Sequence, residues 1–239
     1  GVVPKTVDEY LELQEPEIRS VLEKLRRTIR SAAPQAEEII SYQIPSYKYN
    51  GALVHFAAFK AVGESVEQPL MYFENNLLSL INLLKCVQEF QIPHFVFSSS
   101  CTVYGNPEHI PVTESTPLQM AASPYGATKQ MGETIVKDAA FAHPLSTILL
   151  RYFNPVGAHP STAIGELPIG RPQNLVPAIT QTAIGKLPKM QVHGADYDTR
   201  DGSCIRDYIH VCDIAHAHTL AIQYSIQHNQ PNSCEIFNL

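Results

Sequence analysis

The chain has 239 residues, 44% hydrophobic and 17% charged, with a formal net charge of -6. That is enough for one substantial core, or a core plus a small appended module, and too apolar for a disordered polypeptide. The acidic balance offers no footprint for nucleic-acid phosphates, no apolar run approaches the roughly 18 residues of a membrane span, and the amino terminus lacks a secretory pattern; a cytoplasmic protein with no nucleic-acid or membrane partner is expected.

In chain order, Thr6 with Glu9 reads as a capping box opening a short helix. Glu15-Pro16-Glu17 opens a second helix, in which Ile18, Val21, Leu22, Leu25 and Ile29 recur at helical spacing. Arg19, Lys24, Arg26, Arg27 and Arg30 occupy its other side, as a solvated helix face does. Tyr47 and Tyr49 then precede Asn50-Gly51, and Leu53, His55 and Phe56 follow. Asn-Gly between two strand-like runs predicts a hairpin, because both turn residues tolerate positive φ.

Beyond the hairpin, strands and helices alternate. Leu53–Ala58 reads as a strand, and Leu70, Phe73, Leu77, Leu80, Leu84 and Val87 form one helical stripe. His94–Ser98 reads as a strand, residues 125–141 as a helix and Thr147–Arg151 as a buried strand. Such alternation predicts a doubly wound parallel sheet. The fold class expected is therefore α/β: a partial, Rossmann-like parallel sheet preceded by a small α+β module with a hairpin.

Two motifs carry chemistry. Tyr125 and Lys129 lie four residues apart on one helical face, where a cation lowers the cost of a phenolate and lets tyrosine act as a base. Ser98-Ser99-Ser100 leaves the apolar run Phe95-Val96-Phe97, which places hydroxyls at the carboxyl end of a parallel strand, the edge at which open α/β sheets bind ligands. The five cysteines are scattered with no Cys-x-x-Cys pair, and His216 and His218 stand two apart on a helix, so no metal site is expected.

Taken together, His55–Val66, Ser98–Gly105, Ser123–Lys129, Arg151–His159 and Arg206–Val211 resemble the UDP-glucose 4-epimerases, members of the extended short-chain dehydrogenases/reductases, over about 53–239. The resemblance implies an isomerase of galactose metabolism that uses NAD on a UDP-sugar, and helices 68–88 and 125–141 that form a homodimer face. It implies that Tyr125 takes the sugar hydroxyl proton, that Lys129 lowers the tyrosine pKa and holds the nicotinamide ribose, and that Ser100 holds the sugar oxygen. It further implies NAD contacts at Phe56, Ala57, Lys60 and Asn75, and UDP-sugar contacts at Asn154, Asn174, Leu175, His193, Arg206 and Tyr208. Sugar-nucleotide dehydratases carry an Asp-Glu pair where this chain has Cys101-Thr102.

One part of the epimerase pattern is missing. The family's opening strand and Gly-x-x-Gly-x-x-Gly turn grip the cofactor pyrophosphate, yet no three of the 12 glycines have such spacing. Residues 4–60 instead resemble part of a small bacterial domain of unknown function likened to frataxin-type iron chaperones, through Pro4–Tyr10, Ala33–Glu38, Ile44–Lys48 and Phe56–Lys60. The expected organisation is a chimera of a 1–60 module and a 53–239 epimerase-like region truncated at both ends, with weakened NAD retention. The strand at 46–49 is expected to pair antiparallel with 53–58 and cover an otherwise bare edge of the parallel sheet. The alternative from another class is a non-catalytic binding or chaperone-like fusion protein.

Overall fold

The computed structural model describes residues 4–32, 34–41, 44–49, 52–55, 58–162, 165–166, 168, 172, 174–192 and 194–239. At the amino end, the Thr6 hydroxyl accepts from the Glu9 amide at 3.1 Å, and the Glu9 carboxylate accepts from the Lys5 amide at 2.7 Å. These bonds satisfy amides that a helix start leaves unpaired, and α1 (Val7–Glu12) follows. Helix α2 (Pro16–Ala32) leads to three antiparallel strands, β1 (Glu37–Ser41), β2 (Ile44–Tyr49) and β3 (Ala52–His55), in the order β1-β2-β3.

The hairpin forms with the expected antiparallel pairing, Ser46 standing opposite His55 and Tyr47 opposite Val54. Two features differ from the sequence expectation. Strand β1 adds a third member, its Glu37–Ser41 pairing antiparallel with 44–48 of β2. More consequentially, 52–55 belongs to this antiparallel sheet and not to the parallel one, so the expected outer strand at 53–58 is diverted at its start. Contact with a partner two residues away closes a far smaller loop than pairing with a strand some 40 residues on, which favours the hairpin. Arg26 stitches the module together: its fork meets Glu38 at 2.7 and 2.6 Å, its remaining nitrogen meets Asp8 at 2.6 Å, and the Tyr47 hydroxyl donates to Glu38 at 2.9 Å.

The larger region begins with α3 (Val62–Glu67) and α4 (Pro69–Glu89), then β4 (His94–Ser100), a 3-10 turn at Cys101–Tyr104, α5 (Pro124–Ala142) and β5 (Ser146–Tyr152). Short β6 (Asn154–Val156) and β7 (Tyr208–His210) pair in parallel, flanking α6 (Leu175–Ala183), and α7 (Val211–His228) leads to β8 (Ser233–Asn238). Strands β4, β5 and β8 form a parallel sheet in that order, with β5 central and almost wholly buried. Helices α4 and α5 cover one face through Leu80, Leu84, Val136, Phe95 and Leu149; α7 covers the other through Ala221, Ile148 and Leu150. A central strand buried on both faces between two helical layers, with Ile148, Leu149 and Leu150 at its middle, is what a parallel sheet requires.

Leu70 departs from its expected stripe and is 80% exposed. Stepping back by fours from Leu80, the buried positions of α4 are Asn76 and Tyr72, so the first turn presents a different set. Helix α5 lies close on β4 because Gly132 carries no side chain: a Cβ there would stand 2.9 Å from the Phe97 ring. None of the described helices is long and apolar enough to cross a membrane.

A buried ion pair joins these layers. Arg151 on β5 and Glu133 on α5 are 2% and 1% exposed and meet through two bonds, Nε to Oε1 at 2.8 Å and Nη2 to Oε2 at 2.6 Å. Burial pushes the Glu133 carboxyl up, but its bonds from Arg151 and Ser99 outweigh that and hold it below the usual carboxylate range. Glu133→Ala leaves Arg151 buried and unpaired and is expected to cost about 3–5 kcal/mol in urea unfolding, whereas Glu133→Met with Arg151→Met recovers most of that loss.

Candidate active site

The site assembles where β4 ends and α5 begins. Ser100 caps the 3-10 turn, its hydroxyl accepting from the Thr102 amide at 3.2 Å and from the Thr102 hydroxyl at 3.0 Å. Gly105 ends that turn at φ +64°, where a Cβ would collide with the Met120 carbonyl at 2.5 Å. Ser123 caps α5 by accepting from the Gly126 amide at 3.1 Å, with Pro124 in the first turn. These two caps bring Tyr125, in the first turn of α5, against the end of β4.

Lys129 lies one turn further along α5 and donates to the Ser98 carbonyl at 2.9 Å. Its ammonium stands 5.1 Å from the centre of the Phe97 ring and 5.8 Å from that of Tyr125. The residue is half-buried, its ammonium end being the enclosed part, and burial pulls its pKa down from 10.5 to about 8. Tyr125 is pushed up to about 12, first by burial and next by the neighbouring Tyr152, with the Ser100 hydroxyl pulling it partly back. In the ligand-free chain burial is the largest influence on both groups, raising Tyr125 and lowering Lys129.

Apart from Asn75, the remaining predicted residues fall into three groups. The Asn154 side chain donates to the Asp207 carbonyl at 2.9 Å, and the charge of Arg206 reaches the Cys101 thiol, which burial raises. Arg206 and Tyr208 are exposed. Lys60, 71% exposed, and Asn174 meet on one carboxylate, Glu166 Oε1, at 3.5 and 2.8 Å. Asn174 thus opens α6 without its side chain capping the helix, and Leu175 beside it is exposed. Phe56, Ala57 and His193 lie outside the described residues.

Asn75 reaches its neighbour Asn76, and Asn76 does the structural work that sequence reading missed. Its amide accepts from the Phe59 amide at 2.8 Å and donates to the Phe59 carbonyl at 3.0 Å and to Thr128 at 3.2 Å, pinning the segment before α3 to α5. A polar residue four positions from both Tyr72 and Leu80 on a buried helical stripe was the available signal. His218, considered above only as a metal ligand, faces Ser98 instead.

The nicotinamide-ribose end of a dinucleotide fits this arrangement. The Lys129 ammonium is enclosed yet meets one acceptor among the described residues, which leaves two N–H groups for a diol.

Comparison with known proteins gives the geometry its context. Residues 48–239 match the NAD dependent epimerase/dehydratase family. The chain belongs to that family. It is 55% identical over 168 residues to a UDP-glucose 4-epimerase of Yersinia enterocolitica, covering 70% of this chain and 50% of the relative. It is 51% identical over 193 residues to UDP-glucose 4-epimerase uge1 of Schizosaccharomyces pombe, covering 79% and 54%. Among solved structures, the UDP-glucose-4-epimerase of Stenotrophomonas maltophila with bound NAD and formylated UDP-arabinopyranose superposes with a TM-score of 0.72 at 49% identity, over 77% of this chain and 54% of that one. The chain spans about half the length of the relatives it matches.

An enclosed ammonium with one acceptor weakens the fold. Because the folded pKa of about 8 lies below the ordinary 10.5, the unfolded chain binds the proton more tightly, and stability from this group rises as pH climbs between those values. Lys129→Met is expected to gain about 1–3 kcal/mol at pH 7 and to lose that rise, as thermal melts of both proteins from pH 7 to 10.5 would register.

Proposed function

We propose that the chain is a 4-epimerase interconverting UDP-galactose and UDP-glucose, an isomerase of galactose metabolism in the cytoplasm, with impaired retention of NAD. The observation that carries this reading is the convergence of Ser100, Tyr125 and Lys129 at the carboxyl end of β4 in a chain about half identical, over the matched span, to proteins named UDP-glucose 4-epimerase. Tyr125 takes the proton of the sugar 4-hydroxyl on its phenolic oxygen and returns it once the keto sugar has turned over. Ser100 donates a hydrogen bond to the same sugar oxygen. NAD, when bound, supplies the acceptor and then the donor of hydride.

Lys129 holds the ribose diol with its two remaining N–H groups, and Phe56, Ala57, Lys60 and Asn75 complete the cofactor side. Asn154, Asn174, Leu175, His193, Arg206 and Tyr208 hold the UDP-sugar, Arg206 being suited to diphosphate oxygens by its planar fork. The missing glycine turn removes backbone donors that would anchor the pyrophosphate, which is the reason to expect loose cofactor. Residues 1–60 are read as a separate α+β module, a division supported by the antiparallel sheet standing apart from the parallel one. A homodimer is read across α4 and α5, where Leu78, Met131 and Phe141 are exposed.

Denaturing the purified chain and reading the absorbance and fluorescence of the supernatant is expected to release less than one NAD per chain. With excess NAD and UDP-galactose, UDP-glucose is expected to form, and Tyr125→Phe to slow this by about 100-fold or more. Stoichiometric NAD would refute the impairment; conversion unaffected by Tyr125→Phe would refute the site.

A further inference from the structure

Three consecutive serines close β4, and each hydroxyl has its own partner. Ser98 Oγ lies 3.0 Å from Nε2 of His218 on α7. Ser99 Oγ donates to Oε1 of Glu133 on α5 at 2.6 Å. Ser100 is left to cap the following turn and to interact with the Tyr125 phenol. Side chains alternate across a strand, so Ser98 and Ser99 are gripped from opposite layers.

Both grips are themselves fixed. The His218 Nδ1 is 2.8 Å from the Ile214 carbonyl, one turn earlier in α7. A carbonyl only accepts, so Nδ1 carries the hydrogen and Nε2 is left to accept from Ser98. Glu133 is locked by the two bonds from Arg151, whose third nitrogen donates to the Tyr104 hydroxyl at 3.1 Å; Tyr104 donates onward to Asn238 on β8 at 2.6 Å. What these grips hold is the peptide that meets Lys129: the acceptor of its ammonium is the carbonyl of Ser98 itself.

We propose that Glu133 and His218 are positioning residues, which from opposite faces hold the backbone of Ser98–Ser100 so that the Ser98 carbonyl meets Lys129 and the Ser100 hydroxyl meets Tyr125. The inference rests on reading Ser100, Tyr125 and Lys129 as the reactive set. Neither Glu133 nor His218 touches a reacting atom in this scheme; displacement of a reactive group by about 1 Å is enough to lose most of its effect.

The test needs neither NAD nor sugar. The chain is acylated with acetic anhydride across pH 7 to 11, and the labelling of Lys129 relative to the exposed Lys186 is followed by mass spectrometry of the digested protein. Ser98→Ala and Ser99→Ala each remove one grip while leaving the Arg151–Glu133 pair whole, and His218→Phe keeps a ring of similar size beside Tyr152. Ser225→Ala is the reference: it removes the hydroxyl between His94 and Ser146, at 2.8 and 2.9 Å, and so loosens the opposite end of β4. Loss of the aligned carbonyl takes away the one bond, among the described residues, that favours charged Lys129, so its labelling midpoint is expected to fall by about half a pH unit or more in the first three variants and to stay put in Ser225→Ala. Unmoved midpoints in the first three, or an equal shift in Ser225→Ala at matched melting temperature, would overturn the proposal. Because no ligand is present, a chain that fails to epimerise leaves this result standing, and the two readings fail separately.

Discussion

The arrangement of the larger region depends on one buried ion pair. Arg151 and Glu133 lie where the central strand β5 and helix α5 face each other, and their bonds extend to Ser99 on β4, Tyr104 in the 3-10 turn and, through Tyr104, Asn238 on β8. Taking two charges out of water is costly, and the cost is offset only because nearly every lone pair and N–H finds a partner. The same geometry that satisfies the pair leaves little freedom in how helix and strands are set against one another. An apolar contact of equal area would tolerate sliding, since dispersion is non-directional; a two-bond guanidinium and carboxylate would not.

That rigidity bears on the groups just beyond it. Lys129 is one helical turn from Glu133, and Ser98 and Ser100 flank Ser99, so the network's position sets theirs. Enclosure sets their protonation as well. In the ligand-free chain burial favours the neutral form of both Tyr125 and Lys129, and the tyrosine stands at about 12 while the lysine stands at about 8. The phenol is thus an acid at neutral pH until its surroundings change, which separates the presence of a tyrosine and lysine at the right spacing from their readiness to act.

Much of the architecture was legible in the residues. The α4 and α5 helices, the strands read at 94–98 and 147–151, the cap at Thr6 and the antiparallel hairpin all follow from local patterns, because periodicity, capping and turn chemistry act over a few residues. Strand β1 was not read, since Glu37-Glu38-Ile39-Ile40-Ser41 lacks the clean alternation that marks a strand. The sheet membership of 52–55 was misread, because the same apolar run suits either neighbour and pairing is settled by competition between a near partner and a distant one. Asn76 and Glu133 were missed as organisers for a related reason: a polar side chain on a helix declares its function only when its partners, here Phe59, Thr128, Ser99 and Arg151, arrive from remote parts of the chain.

By itself the sequence determined the kinds of chemistry available: hydroxyls leaving a strand, a tyrosine and lysine on one helical face, and a basic fork at Arg206. Those are matters of residue type and short spacing, which chain geometry translates directly. Only the tertiary structure decided that the Ser98 carbonyl serves Lys129, that Glu166 joins Lys60 to Asn174, and that burial raises the Tyr125 phenol above its ordinary pKa. Each of these depends on distances between residues remote in the chain and on how much water the packed layers exclude, and both are set by the fold as a whole.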